Sequence, residues 1–75
     1  MYHTIEFATD LVVDLERSPR HRLEQVLLSE GTRVAAQLRP YVVEGARGPV
    51  EVADLFFEDG TATRGVPFAY FAFVD

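Results

Sequence analysis

Few residues in this chain have the types and spacing that chemistry requires. The most conspicuous is a carboxylate set among apolar residues. In the run Val50 to Phe57, Asp54 shares its alternation with Val52 and Phe56. A carboxylate inside an apolar strand has to be hydrogen-bonded, ion-paired or held at an exposed rim. Arg64, or backbone freed by a bulge near Gly65, is the expected partner, with a ligand-binding or catalytic carboxylate as the competing readings. The two histidines are far apart in sequence: His3 shares a side with Ile5 and Phe7, and His21 lies between Arg20 and Arg22. A metal would need both to converge with a carboxylate such as Asp10 or Glu24, and no ligand spacing favours that. Ser18 and Ser29 sit beside predicted breaks and lack the Gly-x-Ser-x-Gly surroundings of an esterase nucleophile. The five glycines, at 31, 45, 48, 60 and 65, are scattered and form no phosphate-binding loop. There is no His-Glu-x-x-His and no calcium loop. The expectation is a non-enzymatic protein with no catalytic residues, no metal and no cofactor.

Charge is the second possible source of function. All seven basic residues are Arg, a usage that a GC-rich genome explains without a functional choice. Residues 1–16 sum to −4, residues 17–47 to +3 and residues 48–75 to −4, within a net charge of −5. A basic middle between acidic ends reads most simply as internal pairing, with Arg on one strand facing acids on the next. The functional reading is an anion- or partner-binding face of Arg33, Gln37, Arg39 and Tyr41, bordered by Arg20, His21 and Arg22. Arginine suits it, because its planar fork matches carboxylates and phosphates. The acidic balance weighs against nucleic acid, whose binding rests on neutralising phosphates.

These residues have to be positioned by β-structure. Residues 3–16 alternate, with Ile5, Phe7, Leu11, Val13 and Leu15 on one parity, which predicts one long curved strand. Arg17-Ser18-Pro19-Arg20 is a break. Residues 19–30 have two readings. The first is a helix capped by Ser18, with Pro19 as its first residue and Gly31 past its end. The second is a hairpin turning at Glu30-Gly31, which places Leu27 opposite Val34, Gln25 opposite Ala36 and Leu23 opposite Leu38. The alternation of 33–39 favours the hairpin. Tyr41 to Val43 is extended, 44–49 reads as a loop, Val50 to Glu58 as a strand, and Asp59-Gly60 as a tight turn. Thr61 to Val74 returns as the last strand, with Pro67 at an edge or bulge.

The predicted fold is a single small all-β domain over 1–75, a five-stranded antiparallel meander curled into a barrel of SH3-like or OB-like architecture. The alternative is α+β, with one helix at 19–30 on a four-stranded sheet. Without cysteine, neither disulfides nor a cysteine-based zinc site can support so thin a core. The nine-residue apolar run Val66 to Val74 is too short to span a bilayer, so no membrane partner is expected. No secretory leader is recognisable at the N-terminus, which makes the cytoplasm the expected compartment. The same run is apolar on both parities, so both faces need covering. This predicts Phe68 and Tyr70 inside the domain and Phe71, Phe73, Pro67 and Ala69 at a contact with another chain. The expected function is therefore a protein-interaction or assembly module, a homo-oligomer or the small subunit of a larger complex. The alternative is a nucleic-acid or other polyanion binder acting through the Arg/Tyr face.

Overall fold

The computed structural model describes residues 1–17 and 22–75. Among these are seven antiparallel strands: β1 (His3–Phe7), β2 (Leu11–Arg17), β3 (Arg22–Leu28), β4 (Arg33–Gly45), β5 (Gly48–Phe57), β6 (Thr61–Pro67) and β7 (Phe71–Phe73). They form one sheet in the order β3-β2-β6-β5-β4-β1-β7, curled into a half-barrel. The all-β class agrees with the alternation read from the sequence. No α-helix occurs among the described residues, and the 3-10 turn Phe68–Tyr70 is their one helical element.

The strand number is seven rather than five, because two segments that read as single strands are each interrupted. In 3–16 the parity carries through, with Ile5, Phe7 and Val13 all buried. The ladder nevertheless breaks at Ala8 to Asp10 and sends the two halves to different neighbours. β1 lies between β4 and β7, while β2 lies between β3 and β6. The backbone around Gly31 stitches the end of β1: Phe7 donates to the Thr32 carbonyl at 3.0 Å and Gly31 donates back to the Phe7 carbonyl at 2.8 Å. In 61–74 the interruption follows Pro67, which has no N–H to continue a ladder. The chain makes one 3-10 turn, closed by Phe71 N–H on the Phe68 carbonyl, and resumes as β7.

Residues 22–28 are a strand, which excludes the helix reading for that stretch. The expected partner is corrected. β3 pairs with β2 along its whole length, from Leu11 opposite Leu28 to Arg17 opposite Arg22, while β4 pairs with β1 and β5. The β2 register sets Val26 against buried Val13 and Leu28 against Leu11, so the core-facing parity of β3 is even. Leu23 and Leu27, which the hairpin reading paired with Leu38 and Val34, are 67% and 59% exposed. The loop expected at 44–49 is also shorter than read: the β4–β5 ladder runs to Gly45 opposite Gly48, and only Ala46 and Arg47 turn the chain.

The core joins Ile5 and Phe7 of β1, Ala36 of β4, Ala53 and Leu55 of β5, Val66 of β6 and Phe71 of β7. Ile5, Phe7 and Leu55 are its largest fully buried side chains. Each such side chain contributes about 1.5–3 kcal/mol by leaving water. Leu11, Leu28, Val34, Leu38, Phe57 and Phe68 pack around this centre half-buried, which is how a half-barrel that does not close leaves its rim.

Candidate functional site

Two features of the fold stand out: a polar clasp across the middle of the sheet, and apolar surface left uncovered at its ends.

The clasp begins with a bulge. Ala53 opposes Val66 and Leu55 opposes Thr63, so Asp54 alone faces two residues, Arg64 and Gly65. A bulge sets two residues against one and frees their hydrogen-bonding groups from the ladder. Both go to Asp54. The Gly65 amide donates to Oδ1 at 2.9 Å and Arg64 Nη1 donates to Oδ2 at 3.1 Å. A third donor, the Tyr41 hydroxyl, reaches Oδ1 at 2.9 Å. Gly65 has a φ of +68°, and a Cβ there would stand 3.4 Å from the Tyr41 hydroxyl oxygen. The Tyr41 side chain thus crosses from β4 over β5 to β6. Arg64 in turn bonds Glu16 of β2 through Nε and Nη2, at 3.3 and 3.4 Å. Its guanidinium lies 5.4 Å from the centre of the Phe56 ring. Four strands are tied together where, among the described residues, β2 and β6 share two paired positions, Glu16 with Ala62 and Arg17 with Thr61.

The electrostatics follow from this geometry. Burial alone pushes the Asp54 pKa up and is the largest single influence, but the bonds from Tyr41, Gly65 and Arg64 together outweigh it and hold the carboxyl below its ordinary range. The bond to that carboxylate raises Tyr41. The bonds to Glu16 and then Asp54 raise Arg64. A general base works best with a pKa near the operating pH. Asp54 is driven the other way and its oxygens are already engaged, so as held it suits structural satisfaction rather than proton transfer. Arg64 and the Gly65 backbone are the partners the sequence pointed to. Tyr41 is the one it missed.

The expected anion face is real as a face but largely committed. Arg33, Gln37 and Arg39 are exposed and share the odd parity of β4. Arg33 Nε bonds Glu6 Oε1 at 2.8 Å, and Tyr41 belongs to the clasp. Arg39 lies in register with Asp54 and has no ion-pair partner among the described residues. Arg22 does not border this face, because β2, β6 and β5 separate β3 from β4. Arg20 and His21 lie outside the described residues. His3 packs edge-on against Phe73 with ring centres 5.4 Å apart, its Nδ1 3.5 Å from Asp75 Oδ2. Among the described residues no three His, Cys, Asp or Glu side chains gather as metal ligands would.

The expected contact set divides. Phe71 is only 6% exposed and belongs to the core, which corrects its assignment to a contact with another chain. The 3-10 turn is the cause. It spends three residues turning, so Phe68 and Phe71 both face inward with ring centres 5.1 Å apart, where a straight strand would oppose them. Tyr70, expected inside, is 38% exposed, and Phe73 is 51% exposed. Ala69 is exposed and Pro67 half-buried. A groove of about 440 Å³ opens beside Phe73, with His3, Leu38, Pro40 and Phe68 among its walls. A second hollow, sharing Pro40 and Phe68, runs under Val42. Beyond Val52, Val42 to Glu51 pair only with one another, leaving an arm with Val42, Val43 and Val50 in solvent.

No helix among the described residues is long and apolar enough to cross a membrane. Comparison of the chain with protein families, with characterised proteins and with solved structures finds no match.

Proposed function

We propose that this chain is a non-enzymatic interaction or assembly module, bound to copies of itself or to another protein subunit. The observation that carries this reading is the groove at the β7 end, with half-exposed Phe73 at its wall. Large apolar side chains grouped in solvent mark contact sites more often than free surface. Val42 of the neighbouring arm lines the adjoining hollow with Pro40 and Phe68 and extends the same surface. Saturation of the one buried carboxylate supports a structural use for the chain's most distinctive polar residue.

The polyanion reading keeps one observation in its favour, Arg39 beside Gln37 on an exposed face, with no ion-pair partner among the described residues. Against it stand the neutralisation of Arg33 by Glu6 and the net charge of −5.

Light scattering on a sizing column tests the main reading. Wild type should run above its monomer mass or carry a co-purifying subunit, and Phe73→Glu should stay folded while losing whatever part of that mass is held through the groove. A wild type that remains a monomer at high micromolar concentration, with nothing co-purifying, overturns it.

A further inference from the structure

We propose that two copies of this chain join edge to edge through β3, antiparallel about a two-fold axis at Gln25, so that two half-barrels share one continuous sheet. The proposal rests on the assembly reading and names its partner, a second copy, at a surface distinct from the Phe73 groove.

Among the described elements β3 pairs only with β2, and all seven of its residues are in register there. Its outer side is a free edge, a row of unpaired N–H and C=O groups that templates another strand. Natural edges are blunted by proline, bulges, very short strands or charged side chains. β3 has no proline, no glycine and no register shift, and its charges are confined to Arg22 and Glu24. The opposite edge, β7, is only three residues long. On its outer face β3 holds Leu23 and Leu27 largely in solvent, with exposed Gln25 between them.

Charge and parity select the register. A two-fold axis normal to the sheet keeps each face on its own side, so paired residue numbers must have an even sum. An axis at residue 24 sets Glu24 against its own copy, and like charges directly opposite repel. An axis at Val26 sets Leu27 against Gln25 and carries Arg22 and Leu23 past the end of the partner strand. An axis at Gln25 uses all seven residues. Leu23 then meets Leu27 of the second copy on both sides of the axis. Glu24 meets Val26, and Arg22 meets Leu28. The two Gln25 amides meet at the centre, where each has a donor and an acceptor to offer. No acid opposes an acid, which matters for a chain that carries −5 and repels its copies elsewhere. A single strand pair covers less than the roughly 800 Å² per partner of a standard interface, so the dimer should be reversible.

The chain has no cysteine, so one introduced thiol reports cleanly. Gln25→Cys should form disulfide-linked dimer under mild oxidation at least about tenfold faster than Arg47→Cys, a control at the exposed arm tip. Opposed strand positions lie within disulfide reach. Leu23→Cys and Leu27→Cys should each link poorly alone and readily when mixed, since each then faces the other. Circular dichroism checks that the variants keep the wild-type fold, as expected for exposed positions. If Gln25→Cys links no faster than Arg47→Cys while wild type still sediments as a dimer, this inference fails and the assembly reading stands on another surface. If wild type is also a monomer with nothing co-purifying, both fail.

Discussion

Tyr41 on β4 donates its hydroxyl hydrogen to Oδ1 of Asp54 on β5 at 2.9 Å, the same oxygen that takes the Gly65 amide of β6. One carboxylate oxygen thus joins three strands. Removing the hydroxyl leaves a buried charge with fewer donors, which destabilises more than losing an exposed bond. Tyr41→Phe should therefore lower the urea midpoint with an unchanged slope. An unchanged midpoint would mean that Arg64 and Gly65 suffice.

Acid stability should depend on two carboxylates. Asp54 is held below its ordinary pKa by the bonds that outweigh its burial. Asp59 is held low by the Thr61 hydroxyl first and the Thr61 amide second. A folded pKa below the unfolded value gives stability that is fully present above about pH 3.9 and is lost as pH falls through the folded value. Urea midpoints should stay flat near neutrality and drop on the acid side of about pH 4. Asp54→Asn should reduce that drop. An acid slope identical to wild type would place the effect in other groups.

Two glycines should resist side chains because of their backbone. Gly60, just after Asp59 in the β5–β6 turn, has a φ of +86°, as Asp59-Gly60 led one to expect, and Gly65 in the bulge has +68°. A β-branched residue in this conformation costs more than about 1 kcal/mol, so Gly60→Val should destabilise by at least that amount. Gly65→Ala should cost about 1–2 kcal/mol through its left-handed backbone, since a Cβ there meets the Tyr41 hydroxyl at an ordinary 3.4 Å. Denaturant titration of each variant reads both numbers, and a change near zero would contradict the turn geometry.

Phe71 and Phe73 should behave as opposites. Phe71→Ala removes a core ring and should cost about 3–5 kcal/mol, whereas Phe73→Ala removes a half-exposed one and should cost far less. Thermal unfolding of the pair distinguishes this arrangement from a straight last strand, in which the two would cost alike.

A salt titration with single-stranded DNA separates the two functional readings. Wild type should show no binding at physiological salt. Binding that Arg39→Glu abolishes would bring the polyanion reading forward, because Arg39 is the exposed face's uncommitted cation among the described residues.

Local features of the chain were legible without coordinates. Period-two alternation marked strand structure over 3–16, 33–39 and 50–58, since side chains on a strand alternate whatever its neighbour. Asp59-Gly60 marked a turn for an equally local reason, the backbone conformation glycine permits. Asp54 announced its own need for partners, and Arg64 and Gly65 followed from the return of the chain after that turn. Tyr41 was legible only to a reader who took Gly45 and Gly48 as the ends of a two-residue turn. The β4–β5 register then sets Arg39 opposite Asp54 and brings Tyr41 within a diagonal of it.

Pairing and facing were decided by the tertiary structure, because they depend on which distant strand completes the burial. The edge of β3 could satisfy its backbone against β4 as well as against β2. Val13 and Leu11 on β2 offered Val26 and Leu28 an apolar register, and that choice turned Leu23 and Leu27 outward. In 66–74 the alternation assumed a straight strand. Pro67 withheld an N–H and one 3-10 turn followed, which carried Phe71 into the core and left Phe73 at the surface. Alternation determines that successive residues of a strand lie on opposite sides. Which side is inside is a property of the whole sheet, since burial is measured against everything the chain brings together.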